Sequence, residues 1–238
     1  MSLTWSVSRG ERRFFWVAVL TLCAIAVAIS IRGLVLLVGL PANGDPDSAA
    51  LDAFFAGKRL LTGGHVLSGL VLAVAIPVQL SARVRRRYLR VHRWLGRLVL
   101  FVGLLIGVSA YGMMFDPVGG WLETSATSLY DTAFLTALVT AWWHIRRGDV
   151  THHREWMLRA IGVVLGTATT RPVMAIFFAT STITGLRPPQ FFGVAMWIGF
   201  TSTVLATEWY IRGTKPKTSI PVDVSDSEST AFVTSPST

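Results

Sequence analysis

The chain has a single cysteine, Cys23, and it lies inside the first long apolar run. An intrachain disulfide is therefore excluded, as is a thiolate metal cluster; the residue reads as a small buried hydrophobe. Charge is scarce too: 15% of residues are Asp, Glu, Lys or Arg, against roughly 25% in soluble domains. There is no Gly-rich phosphate loop, no Ser-His-Asp order and no metalloprotease helix, which removes the commonest nucleotide-hydrolysing and peptidase signatures. No internal repeat is visible.

What is abundant is apolar surface. Hydrophobic residues make up 52% of the chain, mean hydropathy is +0.53, and the apolar residues come in long runs, which places the protein in the membrane class. The net charge of +9 would suit nucleic acid, but the arginines sit in short blocks between apolar segments, as membrane-flanking charge does. Nucleic-acid binding is not expected. With 238 residues there is room for one bundle and no second globular domain.

A bilayer span needs about 20 mostly apolar residues. Six segments qualify: Phe14 to Leu40, Leu61 to Leu80, Leu95 to Phe115, Ser125 to Trp143, Trp156 to Phe178 and Phe191 to Ile211. The first follows Arg12 and Arg13 but is too long for a signal-peptide h-region and lacks a small-residue cleavage site, so a retained helix is expected. The fold class is thus all-α, a six-helix integral membrane bundle with spans two to five as its core. One set of loops holds Arg9, Arg12 and Arg13, then Arg83 to Arg93, Arg146, Arg147 and Arg154, then Arg212, Lys215 and Lys217. The opposite set offers Lys58, Arg59 and Arg187. That bias puts both termini on the cytoplasmic side of a bacterial-type plasma membrane.

Pro41 to Asp47 reads as an outer turn and Leu51 to Leu61 as a short interfacial helix. The Ser/Thr/Pro-rich stretch 214–238 reads as a disordered tail, leaving residues 1–213 as the transmembrane domain. Gly103 and Gly107, and Gly162 and Gly166, place small residues on one face of spans three and five, as closely packed membrane helices do. Pro77 and Pro172 are expected to kink their helices. Trp5, Trp16, Trp94, Trp121, Trp142, Trp143, Trp156 and Trp209 fall near span ends as an aromatic belt. Asp116, Glu123 and Glu208 read as end-of-helix charges.

Charge inside a membrane helix costs about 2.5–3.5 kcal/mol or more, so each such residue needs a partner, a wet cavity or a route to the interface. Two polar layers emerge. In the outer one, Arg171 lies about 10 Å inside the end of its span at 1.5 Å per residue, with Asp131, Arg32 and His65 at a similar level. Either Asp131 pairs with Arg171 or Arg32 and locks the bundle, or the four line a pocket for an anionic or quinone-like ligand with Arg171 and His65 as donors. The inner layer holds Gln79, His92, Arg93, Arg97, His144, Asp149, His152, His153 and Arg159, which gathers four of the five histidines at one membrane face. His92 and His153 open helices of the same direction and suit a b-type haem between them, with arginines for the propionates. A metal held by His92, His144, His152 or His153, and Asp149, is the second site type. A structural role at the interface is the third. His152 and His153 point about 100° apart on a helix, and either could be the inward one.

Two strings, His92-Arg93-Trp94-Leu95-Gly96-Arg97 and His153-Arg154-Glu155-Trp156-Met157-Leu158-Arg159, resemble the signatures of a bacterial membrane family catalogued as domain of unknown function 2306. The resemblance covers about Gly64 to Arg171. It matches His65 with Gly69, Gln79 and Arg171 to that family's pattern, and matches the first and last helices only as hydrophobic spans. It implies architecture and no chemistry. A looser similarity to dihaem b-type cytochromes fails at the outer start of the fourth span, where Thr124 to Asp131 contains no histidine, so one inner haem is the most it implies. Three functions follow as expectations: a haem-binding or quinone-linked electron-transfer component with a respiratory-type partner, a non-enzymatic scaffold or lipid-binding protein, and a small-solute transporter. Lipid bilayer is the partner common to all.

Overall fold

The computed structural model describes residues 9–39 and 46–214. The expected outer turn falls mostly on residues 40–45, and the tail from residue 215 lies beyond 214, so both stand outside the described residues. The rest is helical: α1 Arg9–Leu37, α2 Pro46–Ala56, α3 Arg59–Leu80, α4 Ala82–Arg87, α5 Leu89–Met114, α6 Gly120–Arg146, α7 Val150–Thr184 and α8 Pro188–Gly213.

Four of the six expected spans sit inside a longer helix, because polar flanks continue the helix beyond the apolar stretch, while α1 ends at Leu37 and α5 at Met114, short of the expected Leu40 and Phe115. The 35 residues of α7 extend about 52 Å at 1.5 Å per residue, well beyond a hydrocarbon core of about 30 Å. Helix ends are set locally. Asp149 caps α7, accepting from the His152 N–H at 3.0 Å. Gly185 closes α7 at φ +69°, a left-handed conformation that glycine adopts without a Cβ penalty. The Gln190 side chain accepts from the Arg187 N–H at 2.8 Å to start α8 behind two prolines.

Two expectations are corrected and one element is added. The interfacial helix is α2, which begins at Pro46, where a missing N–H costs nothing. It stops at Ala56 instead of continuing to Leu61. Gly57 and Lys58 turn the chain, and the Lys58 ammonium holds the Asp116 carboxylate at 2.7 Å, pinning the turn to the end of α5. A short basic helix, α4, follows the break at Ser81, whose backbone is extended. The core is not confined to the second to fifth spans, for α8 packs along α7 in the most extensive helix pair of the bundle and buries Phe191, Phe192, Ala195 and Gly199.

Among the described residues five helices, α1, α3, α5, α7 and α8, are long and apolar enough to cross a membrane. The sixth expected span, α6, matches them in length with 27 residues but not in apolarity, since Glu123, Thr124, Ser125, Thr127, Ser128, Asp131 and Thr132 crowd its first half. Outward faces carry Phe101, Leu104, Leu105 and Val108 of α5 and Val17 and Leu20 of α1, all exposed, a surface suited to lipid. Close helix approach rests on the anticipated glycines and on two others. Gly103 and Gly107 receive Leu138 and Leu135 of α6, and Gly162 and Gly166 receive Thr207 and Phe200 of α8. Gly193 and Gly199 lie against backbone, at Leu122–Glu123 and at Thr170 respectively. Helices α3 and α7 run on through Pro77 and Pro172.

Candidate functional site

The outer polar layer surrounds a cavity of about 310 Å³. Arg32 and Asp52 line it from α1 and α2, His65 and Gly69 from α3, Ile106 from α5, Tyr130 and Asp131 from α6, Arg171 and Met174 from α7, and Phe192 and Phe200 from α8. All four expected ligand-binding residues, His65, Arg171, Asp131 and Arg32, therefore face one space.

Their partners differ from the expected lock. Arg32 is bound bidentately by Asp52, Nη1 to Oδ1 at 2.9 Å and Nη2 to Oδ2 at 2.6 Å, so its charge is satisfied from α2. Asp131, 8% exposed, pairs with neither arginine, and its Oδ2 is enclosed without a hydrogen-bond partner. The Arg171 Nε has no partner either, and its Nη1 reaches only the Met174 sulfur at 3.8 Å. His65 Nδ1 lies 2.9 Å from the Ser109 hydroxyl. That hydroxyl gives its proton to the Ile106 carbonyl at 2.8 Å, so it accepts from Nδ1–H, and a neutral ring keeps Nε2 as an acceptor. In the neutral state His65 thus donates from Nδ1 to Ser109 and has Nε2 left as an acceptor. An unsatisfied buried polar group costs about 1–3 kcal/mol, more for charged groups. The cavity wall holds a donor and an acceptor of that kind at once.

The inner layer divides into three groups. In the first, Gln79 donates from Nε2 to the His92 carbonyl at 3.0 Å while its Oε1, and the Nδ1 of His92, are enclosed and unpartnered. His153 is the inward one of the adjacent pair: its Nδ1 donates to the Ala141 carbonyl of α6 at 2.9 Å, while His152 is exposed. His92 and His153 are near enough to interact electrostatically, but neither lines the large cavity nor a second one along α6, α7 and α8.

The second group is the arginines expected near propionates. Arg93 and Arg97 are exposed, and Arg97 stacks on Trp94. Arg159 is committed to Glu208 of α8, Nε to Oε1 at 2.5 Å, and lies over the Trp156 ring. Glu208 is therefore an interhelical partner and no mere end charge.

The third group is a cluster of metal-ligating atoms built from residues other than His92 and His153. His144, Asp149 and His152 bring one ligand atom each to within 4.8 Å of one another. The His152 backbone N–H, and behind it the two imidazoles, hold the Asp149 carboxyl below the ordinary carboxylate value, so it is ionised at neutral pH.

Apolar helices long enough to span, an outward-facing apolar surface and ionisable groups turned into an internal cavity define a polytopic α-helical membrane protein. Within that class, residues 62–211 match the family described as predicted membrane protein DUF2306, and the chain belongs to that family. The match runs through most of α8, further than the stretch ending at Arg171, and leaves α1 outside it. Comparison with curated proteins and with solved structures gives no match.

Proposed function

We propose that the protein crosses the membrane six times and uses the outer cavity to bind a small amphiphile whose head carries both a hydrogen-bond acceptor and a donor, as the quinone–quinol pair does. The observation that carries this reading is the coexistence, on one cavity wall, of an unpartnered Asp131 carboxylate oxygen and an unpartnered Arg171 guanidinium N–H. A carbonyl oxygen satisfies Arg171, and a hydroxyl satisfies Asp131 or Nε2 of His65. A cavity of about 310 Å³ sits at the small end of ligand sites, which run about 300–1,000 Å³; it suits one substituted ring with its tail in the bilayer.

The packing of α6 supports the reading of six crossings. It lies against α5, α7 and α8, buries Ala126, Tyr130, Phe134, Ala137, Leu138 and Ala141, and turns Glu123, Thr127 and Asp131 to the cavity, where intramembrane polar groups belong. With six crossings the arginine-rich ends share one side, the cytoplasmic one by the positive-inside rule. A b-type haem between His92 and His153 has less support. Arg159 is bound to Glu208, Arg93 and Arg97 are exposed, and neither cavity is lined by the two histidines.

The test uses detergent-solubilised full-length protein titrated with a short-chain benzoquinone. Tyr130 lines the cavity and meets Trp197 edge-on at 5.5 Å, so saturable quenching of tryptophan fluorescence is expected. Arg171→Gln is expected to weaken binding about tenfold, the equivalent of one lost hydrogen bond of about 1.4 kcal/mol. Absence of saturable quenching, or equal affinity in the variant, overturns the reading. A Soret band in the same preparation would return attention to His92 and His153.

Lipid binding has its own observation. Arg83, Arg86, Arg87 and Arg90 are exposed around α4, whereas Arg85 is occupied, donating to the Leu80 carbonyl at 2.8 Å. Arg83→Gln/Arg86→Gln/Arg87→Gln is expected to lower co-purified anionic lipid, at about 1 kcal/mol per arginine. Arg85→Gln is expected to act through the end of α3 instead. Lipid phosphate assay of the purified variants reads the difference, and unchanged retention in the triple variant would remove this second reading.

A further inference from the structure

The turn between α6 and α7 assembles its three potential ligands from local backbone geometry alone. Helix α6 ends in a Schellman closure: the Gly148 N–H bonds the Ile145 carbonyl at 3.1 Å and the Asp149 N–H bonds the His144 carbonyl at 3.0 Å. Gly148 takes φ +78°, the left-handed conformation this closure needs. The bond from Asp149 back to His144 carries the carboxylate against the last histidine of α6. The cap that starts α7 then uses Asp149 Oδ1, which accepts from the His152 N–H at 3.0 Å, and sets His152 one turn on. Oδ2 is left facing both rings, 3.1 Å from Nδ1 of His144 and 2.7 Å from Nδ1 of His152. The imidazoles stack at 5.0 Å and 20°.

We propose that His144, Asp149 and His152 form a binding site for one divalent transition-metal ion of the zinc class, with the remaining coordination position open to water. Two imidazoles and one carboxylate are a donor set that zinc takes, with bonds of about 2.0–2.2 Å. A tetrahedral ion of that size spaces its ligands roughly 3.4 Å apart, and the three atoms already lie within 4.8 Å of one another. Side-chain rotation about the fixed turn closes the difference. In the neutral tautomer that carries its proton on Nε2, each ring offers the Nδ1 lone pair to the metal. On His152, whose side chain is 57% exposed, Nε2 is open to water. Two nearby cations are held on tryptophan faces, Arg147 over Trp143 at 3.6 Å and Arg146 over Trp142 at 5.8 Å. Their charge opposes a cation, which sets the expected affinity at micromolar and not tighter. Neither His92 nor His153 takes part.

The experiment titrates the full chain, purified without a polyhistidine tag, with Zn²⁺ against a competing chromophore and with Co²⁺ by visible absorption. One equivalent is expected to bind. His144→Ala/His152→Ala is expected to abolish the saturable step, and Asp149→Asn, which keeps the cap acceptor, to weaken it about tenfold or more. His92→Ala/His153→Ala is expected to leave it unchanged. Zn²⁺ is also expected to raise the melting temperature of the unmodified protein but not of His144→Ala/His152→Ala. Absence of a stoichiometric step, or its persistence in His144→Ala/His152→Ala, overturns the proposal. So does a step that disappears in His92→Ala/His153→Ala.

Discussion

Gly199→Leu is expected to abolish the folded, monodisperse protein in detergent, and Gly199→Ala to lower its melting temperature, although alanine is the better helix former. A Cβ at Gly199 would stand 2.7 Å from the Thr170 nitrogen and 2.8 Å from its Cα. Those are backbone atoms of α7, so no rotamer change relieves the clash and the two helices must part. Overpacking against side chains costs about 1–3 kcal/mol; a leucine against backbone lies at or above the top of that range. Exchanging glycine for alanine in an open helix position gains up to about 1 kcal/mol, so the sign of Gly199→Ala separates close approach from propensity. Gly64, with nothing within 4 Å of a built Cβ, is the control, and Gly64→Ala is expected to be neutral or mildly stabilising. Thr170 precedes Arg171, so the separation of α7 from α8 also opens the cavity wall. Melting followed by tryptophan fluorescence reads all three variants, and a Gly199→Ala protein as stable as the unmodified chain would refute the packing argument.

The helices were legible because an apolar run longer than a bilayer needs leaves the chain little choice, and the level of the outer polar residues followed from residue counts along each span. Azimuth was not legible. Rise along a helix depends on one helix alone, whereas the direction a side chain faces relative to its neighbours depends on how helices are rotated against one another. So Arg32, His65, Asp131 and Arg171 could be put at one height, but the choice of Asp52 as the partner of Arg32 could not be read. Asp52 lies on the interfacial helix, whose fold back over α1 is a tertiary event. Glu208 carried the same ambiguity: at the end of α8 it looks like a solvated charge until α7 brings Arg159 against it. The inner histidines show the opposite case. The link from His144 to His152 is local, and Gly148 followed by Asp149 is a readable helix stop and start. The cluster could therefore have been found by counting hydrogen-bond registers along the turn, where the search for equal depths favoured His92 and His153. Helix α6 falls short of the other spans in apolarity partly because Glu123, Thr127 and Asp131 line the cavity, and an average over the segment cannot tell an inward polar face from a non-spanning helix.

Asp131→Leu is expected to make the unliganded protein more stable and to abolish its response to ligand. Asp131 is 8% exposed, and its Oδ2 has no hydrogen-bond partner; among the described ion pairs it takes no part in one with Arg32 or Arg171. Its burial is thus a cost that nothing in the folded chain offsets. An aspartate inside a membrane helix is disfavoured by about 2.5–3.5 kcal/mol, and exchange for leucine removes that cost. Asp131 lines the cavity, which leaves room for the added volume of leucine. A gain of about 1–3 kcal/mol is therefore expected in thermal unfolding of the detergent-solubilised protein. If Asp131 instead locked the bundle through an arginine, leucine would strand that cation and the variant would melt earlier, so the sign of the shift decides between a structural lock and a binding site. Benzoquinone gives the second readout: it is expected to raise the melting temperature of the unmodified chain and to leave Asp131→Leu where it was. A more stable variant that still responds to the quinone would show that Arg171 and His65 hold the head group without the carboxylate. A carboxylate kept at a stability cost where no protein group satisfies it is what a site tuned for a bound molecule looks like.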